Sequence, residues 1–369
     1  MKCTINDIAN VISESISNPA ESGYDIFVGL EHYDSGEVKI TRYGSTDSLV
    51  TAVKVFKKGD ILLARRNVYL KRAGLVDFDG VTSGDSIVLR VKPDLSILGT
   101  SSSSVQKYLP FVLNTEEFWN YAEKYSDGTM SKRLSPKTLL QYEFEIPDDV
   151  DNRNDLLWSA FETKESYRTM IKAIDEMVKS QFISQFGNNE SNPMGFMKKP
   201  ISEVATLING RAYSANELLK SGKYRVLRVG NFFSTSDYYY SDLELEPNKY
   251  CEKGDLLYAW SATFGARIWE EERVIYHYHI WKVEYDNQLL DKEFLCFLLN
   301  EMTENLKHET HGSTMMHLTK EGMERKQIII PPIGVQKSFV LFLHQADKSK
   351  FELKQAIEKI DKVMRALMQ

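Results

Sequence analysis

Cysteine is scarce: Cys3, Cys251 and Cys296 are the three in 369 residues, widely separated and without a Cys-x-x-Cys pair. That excludes a disulfide framework and a cysteine-rich metal centre, and it predicts a reducing, cytoplasmic setting. No apolar run approaches the roughly 18–20 residues of a membrane span. The opening residues lack the basic, apolar and small-residue order of a signal peptide, so no membrane association is expected. The marks of nucleotide chemistry are missing as well. No glycine-rich loop ends in Gly-Lys-[Ser/Thr], and no Gly-x-Gly-x-x-Gly occurs. His308-Glu309-Thr310-His311 is one residue short of His-Glu-x-x-His. His277 and His279 alternate on one strand face, but no third ligand is identifiable. No serine or cysteine nucleophile sits in a recognisable motif. The expectation is no catalytic residue, no metal site and no cofactor held by this chain.

An excess of positive charge is lacking too, since the formal net charge is −6. A polyanion feels the local field, however, and not the chain average. Between Thr51 and Leu75 lie seven cations (Lys54, Lys57, Lys58, Arg65, Arg66, Lys71, Arg72) against one anion, Asp60. Acidic residues gather elsewhere, at Glu270–Glu272 and Asp148–Asp155. The basic run is either a solvated surface or a nucleic-acid contact.

What the chain does have is a repeat. Lys58-Gly59-Asp60-Ile61-Leu62-Leu63-Ala64 returns as Lys253-Gly254-Asp255-Leu256-Leu257-Tyr258-Ala259, 195 residues later. Ser126-Asp127-Gly128-Thr129, running on to Glu145-Ile146-Pro147, returns at Thr310-His311-Gly312-Ser313 through Ile329-Ile330-Pro331, 184 residues later. Ile171–Val178 returns at Ile357–Met364, 186 residues later. The drop in offset predicts an insertion in the first copy, for which Ser101–Ser104 is the candidate surface loop. Tyr24–Gly29 sits more weakly opposite Tyr224–Gly230.

Asp60–Ala64, Asp255–Ala259, Ser86–Val91 and Ile275–Val283 read as strands. Glu116–Tyr125 and Lys292–His308 have a helical period. Ser135, followed by Pro136 at the first helical position, and Thr319 read as N-caps. Each copy is therefore an α+β domain with a curved sheet. After each domain, apolar residues alternate by three and four for about four heptads, the seam of a coiled coil. In the first helix the seam runs Leu157, Ala160, Lys164, Tyr167, Ile171, Ile174, Val178, Gln181, Gln185. In the second it runs Phe339, Leu343, Ala346, Lys350, Leu353, Ile357, Ile360, Met364, Leu367. Lys164 and Lys350 interrupt it at matching places. The simplest pairing is one antiparallel intramolecular coiled coil, giving the whole chain pseudo-two-fold character. The expected boundaries are a first domain 1–150, a first helix 151–186, a linker 187–197, a second domain 198–333 and a second helix 334–369.

Two Gly-Asp-[Ile/Leu]-Leu segments, two Gly-[Ser/Thr]-x-x-x-x-Leu-[Ser/Thr] segments, two apolar strands ending in proline and two long helices, in duplicated order, resemble the specificity subunit of Type I restriction–modification enzymes. Pro331-Pro332-Ile333-Gly334-Val335-Gln336 resembles the family's entry to its helix, of which Asp148–Asn154 is a degenerate version. The resemblance covers essentially the whole chain. It implies two target-recognition domains, each reading one half of a split double-stranded DNA site, with the helices setting the unread spacer. It also implies two methyltransferase subunits docked around the helices and a motor–nuclease subunit in the full complex. S-adenosylmethionine and ATP would be bound by those partners. No Asn/Asp-Pro-Pro-aromatic run of the methyltransferase kind is present; Asn192-Pro193-Met194 does not match. The competing readings are a non-catalytic scaffold presenting two protein-binding modules, and an enzyme with a motif-free site at a domain interface.

Phosphate contacts position a DNA-binding protein and base contacts specify sequence. In the first copy the candidates are Arg65, Arg66, Lys71 and Arg72 after the Gly-Asp strand, with Thr129, Lys132 and Arg133 in a later loop. In the second copy the matching positions hold Ser261, Thr263 and Arg267, with Ser313, Thr314 and His317 in the loop. Arg211 and Arg228 are further candidates. Different residues at matching places predict different half-sites.

Overall fold

The structure, a computed structural model, describes residues 1–19, 23–128, 131–187, 192–234, 237–309 and 319–369. The chain forms two compact units, Met1–Arg168 with Lys354–Gln369, and Thr169–Leu353. Each unit takes part of each of the long helices Val150–Phe186 and Ile333–Leu367. Among the described residues no helix is long and apolar enough to cross a membrane.

The repeat is built into the topology. In the first unit a sheet has the order Ala9–Ile12, Ser86–Val91, Ile61–Ala64, Ala73–Leu75. In the second the order is Ala205–Asn209, Ile280–Tyr285, Leu256–Ser261, Thr263–Ile268. All these neighbours are antiparallel. Each unit has a second sheet with one parallel pair, Ile26–Val28 beside Gly80–Thr82 and Tyr224–Leu227 beside Val274–Tyr276. A small ladder joins each unit's first strand to its last, Lys2–Thr4 with Glu143–Glu145 and Met197–Pro200 with Gln327–Ile330.

The near-continuous apolar runs after Gly-Asp follow from burial on both faces. Ile61 and Leu63 point into the larger core, with Phe118, Trp119 and Leu157. Leu62 and Ala64 point into a smaller one, with Val28, Tyr33 and Phe56. Leu256 and Tyr258, against Leu257 and Ala259, divide in the same way. The Gly-Asp corners match in their backbone bonds. Gly59 and Gly254 have φ of +90° and +95°, which suits glycine. The Gly59 amide donates to the Val76 carbonyl (2.8 Å) and the Gly254 amide to that of Trp269 (2.7 Å). The Asp60 carboxylate, buried, accepts from the Lys57 amide (2.8 Å) and from two nitrogens of Arg90 (2.7 Å each). Asp255 accepts from the Glu252 amide (2.8 Å) and, more distantly, from Lys282 (3.4 Å).

Three expectations need correction. Ser101–Ser104 is not a surface loop: Ser101 caps the helix Ser102–Val112 by accepting from the Ser104 amide, and Ser104 is buried and bonded to Asp151. The first copy's extra length lies partly in the longer connection 92–101, and partly in a break that leaves the helices Ser102–Val112 and Glu116–Lys124 where the second copy has Lys292–Glu309. Ile275–Val283 is not one strand, because His277–His279 turns the chain from one sheet into the other. The first helix buries Phe182 and Phe186 where the seam pointed to Gln181 and Gln185. A straight helix drifts about 20° per heptad against a 3.5-residue repeat, so over four heptads the stripe moves by nearly one residue. Ser135 and Thr319 cap their helices as expected, accepting from the amides of Thr138 and Gly322.

Within each unit the two helices run antiparallel. In the first, Met364 and Leu367 from the end of the second helix pack on the core that holds Leu157 and Phe161 from the start of the first. In the second, Phe182 and Phe186 meet Phe339, with ring centroids 5.5 and 5.4 Å apart; Val178 is buried and Ile174 packs against the same core. Ile171, Ile357 and Ile360 are half-buried. The seam lysines are ion-paired. Lys164 lies 2.9 Å from Asp361 and 3.5 Å from Glu37, and Lys350 lies 2.9 Å from Asp175. Asp175 and Asp361 are themselves 186 residues apart, as are the lysines.

Removing a buried, paired carboxylate strands its partners. Asp60→Ala is expected to cost about 3 kcal/mol, whereas Asp255→Ala, at a looser and more exposed pair, costs about 1 kcal/mol. Urea-unfolding midpoints of the two variants test this order, and an equal or reversed loss contradicts it.

Candidate nucleic-acid interface

Each unit exposes one surface where the Gly-Asp strand ends beside the turn between its two sheets. In the first unit that turn is 83–85, following the parallel pair Val28–Thr82. The Arg65 amide donates to the Asp85 carbonyl (2.9 Å) and the Ser86 amide to that of Ser83 (3.0 Å). In the second unit the turn is 277–279, following the parallel pair Leu227–Tyr276. The Trp260 amide donates to the His279 carbonyl (3.0 Å) and the Ile280 amide to that of His277 (2.9 Å). One backbone scaffold thus presents two sets of side chains, in which Arg65 matches Trp260, Ser83 matches His277 and Asp85 matches His279.

The first set is cationic. Arg66 donates through Nε to the Ser131 hydroxyl (3.0 Å) and stands 3.8 Å from the Asp85 carboxylate, while Arg133 stands 3.5 Å from it. The loop is stitched on by backbone bonds, from the Leu134 amide to the Arg65 carbonyl and from the Asn67 amide to the Lys132 carbonyl, 2.9 Å each. Arg65, Arg66 and Arg133 therefore converge, whereas the Lys132 ammonium donates to the Glu123 carbonyl (3.3 Å). The Arg66 and Arg133 side chains remain about half exposed, at 46% and 49%. Lys54 joins from below, donating to the carbonyls of Ser86 and Gly84. Burial, then the nearby Arg65 charge, lowers its pKa. The rest of the basic run does not converge. Lys71 pairs with Glu116 (2.6 Å), Lys57 pairs with Asp79 (3.3 Å), and Arg72 spends its guanidinium on the carbonyls of Leu30 and Arg66. Thr129 lies outside the described residues.

The second set is aromatic and nearly neutral. Leu256–Ser261 and Thr263–Ile268 form a tight hairpin in which Ser261 faces Thr263 across Ala262 at φ +63°. Trp260 stacks on Trp281 (5.6 Å), which stacks on Tyr258 (5.8 Å), and its indole donates to the Tyr278 carbonyl (2.9 Å). Arg228, exposed, lies over the Tyr239 ring at 5.3 Å. Arg228, Asn231, Ser261, His277 and His279 line a concavity of about 410 Å³. Burial, with the charges of His279 and Arg228, pulls the His277 pKa from 6.5 down to about 4. Its Nδ1 accepts from the His279 amide (3.4 Å). Arg211 is held by Glu217 (2.6 Å), and Arg267 donates to the Phe232 carbonyl (3.0 Å). Ser313, Thr314 and His317 lie outside the described residues. Among the described residues no three His, Cys, Asp or Glu side chains are grouped to hold a metal ion. The turns 83–85 and 277–279 were missed as partners of the Gly-Asp strand, because strand alternation masks a chain that changes sheets.

Residues 193–362 match the Type I restriction modification DNA specificity domain. The MjaVIII specificity subunit of a Type I restriction enzyme from Methanocaldococcus jannaschii is 25% identical over 116 residues, which is 31% of this chain and 27% of that protein. The EcoBI specificity subunit of a Type I restriction enzyme from Escherichia coli is 24% identical over 183 residues, 47% of this chain and 38% of that protein. The match thus spans well under half the length of these curated relatives. The crystal structure of the Type-I restriction-modification system S subunit from M. genitalium shares the fold, with a TM-score of 0.55 at 16% identity, covering 100% of this chain and 96% of that one.

A histidine that stays neutral in the fold but protonates in the unfolded chain makes stability fall as pH drops. For His277 the stabilisation is present above pH 6.5 and is lost between 6.5 and about 4. Ring-proton NMR is expected to place its midpoint near 4, and His277→Asn to flatten the pH dependence of unfolding in that window. A midpoint near 6.5 contradicts the burial argument.

Proposed function

We propose that this chain, which carries a Type I restriction modification DNA specificity domain and is similar to Type I specificity subunits, is the sequence-reading subunit of a restriction–modification complex. Each unit reads one half of a bipartite double-stranded DNA target, and the long helices set the unread spacer. The observation that carries this reading is the duplicated surface: the same strand end and the same turn, with arginines in one unit and aromatic and histidine side chains in the other. Two half-sites of different sequence need two such faces. The subunit performs no chemistry of its own.

Two methyltransferase subunits dock around the helices, and a motor–nuclease subunit joins the full complex. Exposed apolar side chains on the helices, Leu156, Met170 and Met177 on the first and Val363 on the second, support such docking. S-adenosylmethionine and ATP are bound by those partners and not by this chain. Cations on the partners also offset the net charge of −6 when the complex meets DNA.

Replacing Arg65 and Arg66 together by alanine is expected to weaken DNA binding of the complex without unfolding it, and to lower the salt dependence by about one phosphate contact or more. Unchanged affinity with the fold intact removes that segment from the interface. The reading as a whole is tested by co-purifying the chain with its cognate methyltransferase subunit and mapping methylated bases in host DNA with and without it. Methylation of a split motif that vanishes on deletion is the expected result. No stable complex and no change in methylation favours a protein-binding scaffold instead.

A further inference from the structure

The second unit's surface holds features that the motifs did not assign. Residues from three separate segments converge on the concavity of about 410 Å³: Arg228 and Asn231, the hairpin tip at Ser261, and the turn that carries His277 and His279. The hairpin is a two-stranded ribbon with a one-residue tip, a shape that the DNA major groove admits. The site is also rigid. The Tyr258–Trp281–Trp260 stack runs out from side chains that are 1% exposed, and the indole bond to the Tyr278 carbonyl fixes the outermost ring against the turn. Side chains locked by packing are what discrimination between base edges requires.

We infer that the turn His277–His279, together with Arg228, is the element that determines the base preference of the second half-site. The inference rests on the DNA-reading function proposed above. The ligand chemistry is that of acceptor-bearing base edges in duplex DNA, guanine above all. Arg228 supplies a guanidinium fork suited to guanine O6 and N7. His277, with Nδ1 accepting from the backbone, presents Nε2–H as a neutral donor. The first unit shows that the position is free to vary. Where the second unit has His279, the first has Asp85, a carboxylate that gathers Arg66 and Arg133 around it. One residue at this turn therefore changes both the charge and the partners of the surface.

The test uses the full chain in complex with its methyltransferase subunits, carrying Arg228→Ala or His279→Asp. Each complex selects from a library of DNA duplexes in which both half-sites are randomised. The wild-type complex is expected to select a split sequence. Each variant is expected to lose about tenfold or more of its base preference in one half only, Arg228→Ala at a guanine. The undisturbed half serves as the control for folding and assembly. If the wild type selects no split sequence, the DNA-reading function itself fails. If it does and both variants keep the full preference in both halves, this inference fails and the function stands. Loss of preference in both halves alike also overturns it, because the turn would then support binding without specifying bases.

Discussion

A lysine set into an apolar helix seam must find a carboxylate, and this chain meets that demand twice at matching places. Lys164 pairs with Asp361 in one unit and Lys350 with Asp175 in the other. Lys164 and Asp175, in that order along the first long helix, pair with Asp361 and Lys350, in reverse order along the second, so each pair fits the antiparallel register within its own unit. A polar seam residue costs stability relative to an apolar one and contributes specificity of register in return. The Lys164 side chain is 9% exposed and has Glu37 as a second anion, which ties the helix to the globular part of its unit.

On this frame the globular parts hold their backbone constant and vary their surface. The Gly-Asp corner, the two cores on either face of the central sheet and the turn between sheets recur in both units. These parts are expensive to change, because each buried polar group has a fixed partner. The side chains at the strand end and the turn differ between the units, each set with partners of its own. There the first unit holds arginines around one carboxylate and the second holds an aromatic stack and two imidazoles, of which His277 has its pKa lowered by burial. Duplication followed by divergence at these positions gives two surfaces of different chemistry on one backbone scaffold.

Much of this was legible in the sequence because its causes are local. Positive φ at Gly59 and Gly254, the caps at Ser135 and Thr319, and runs buried on both faces all leave marks within a few residues. What escaped depended on distant partners. His277 and His279 read as one face of a continuous strand, because nothing nearby reveals that the chain changes sheets between them. Seven cations between Lys54 and Arg72 read as one basic run, yet Lys71 is consumed by Glu116 and Arg72 by the carbonyls of Leu30 and Arg66. The helix seam held until the drift between 3.6 and 3.5 residues per turn exchanged Gln181 and Gln185 for Phe182 and Phe186.

The central claim is that two structurally equivalent units read two independent half-sites. Exchanging residues 198–333 for the corresponding segment of a relative with a different target, and mapping methylation by the resulting complex, tests it most directly. The account predicts that one half of the recognised sequence changes while the other half and the spacer stay as they were. A change in both halves, or in neither, contradicts it.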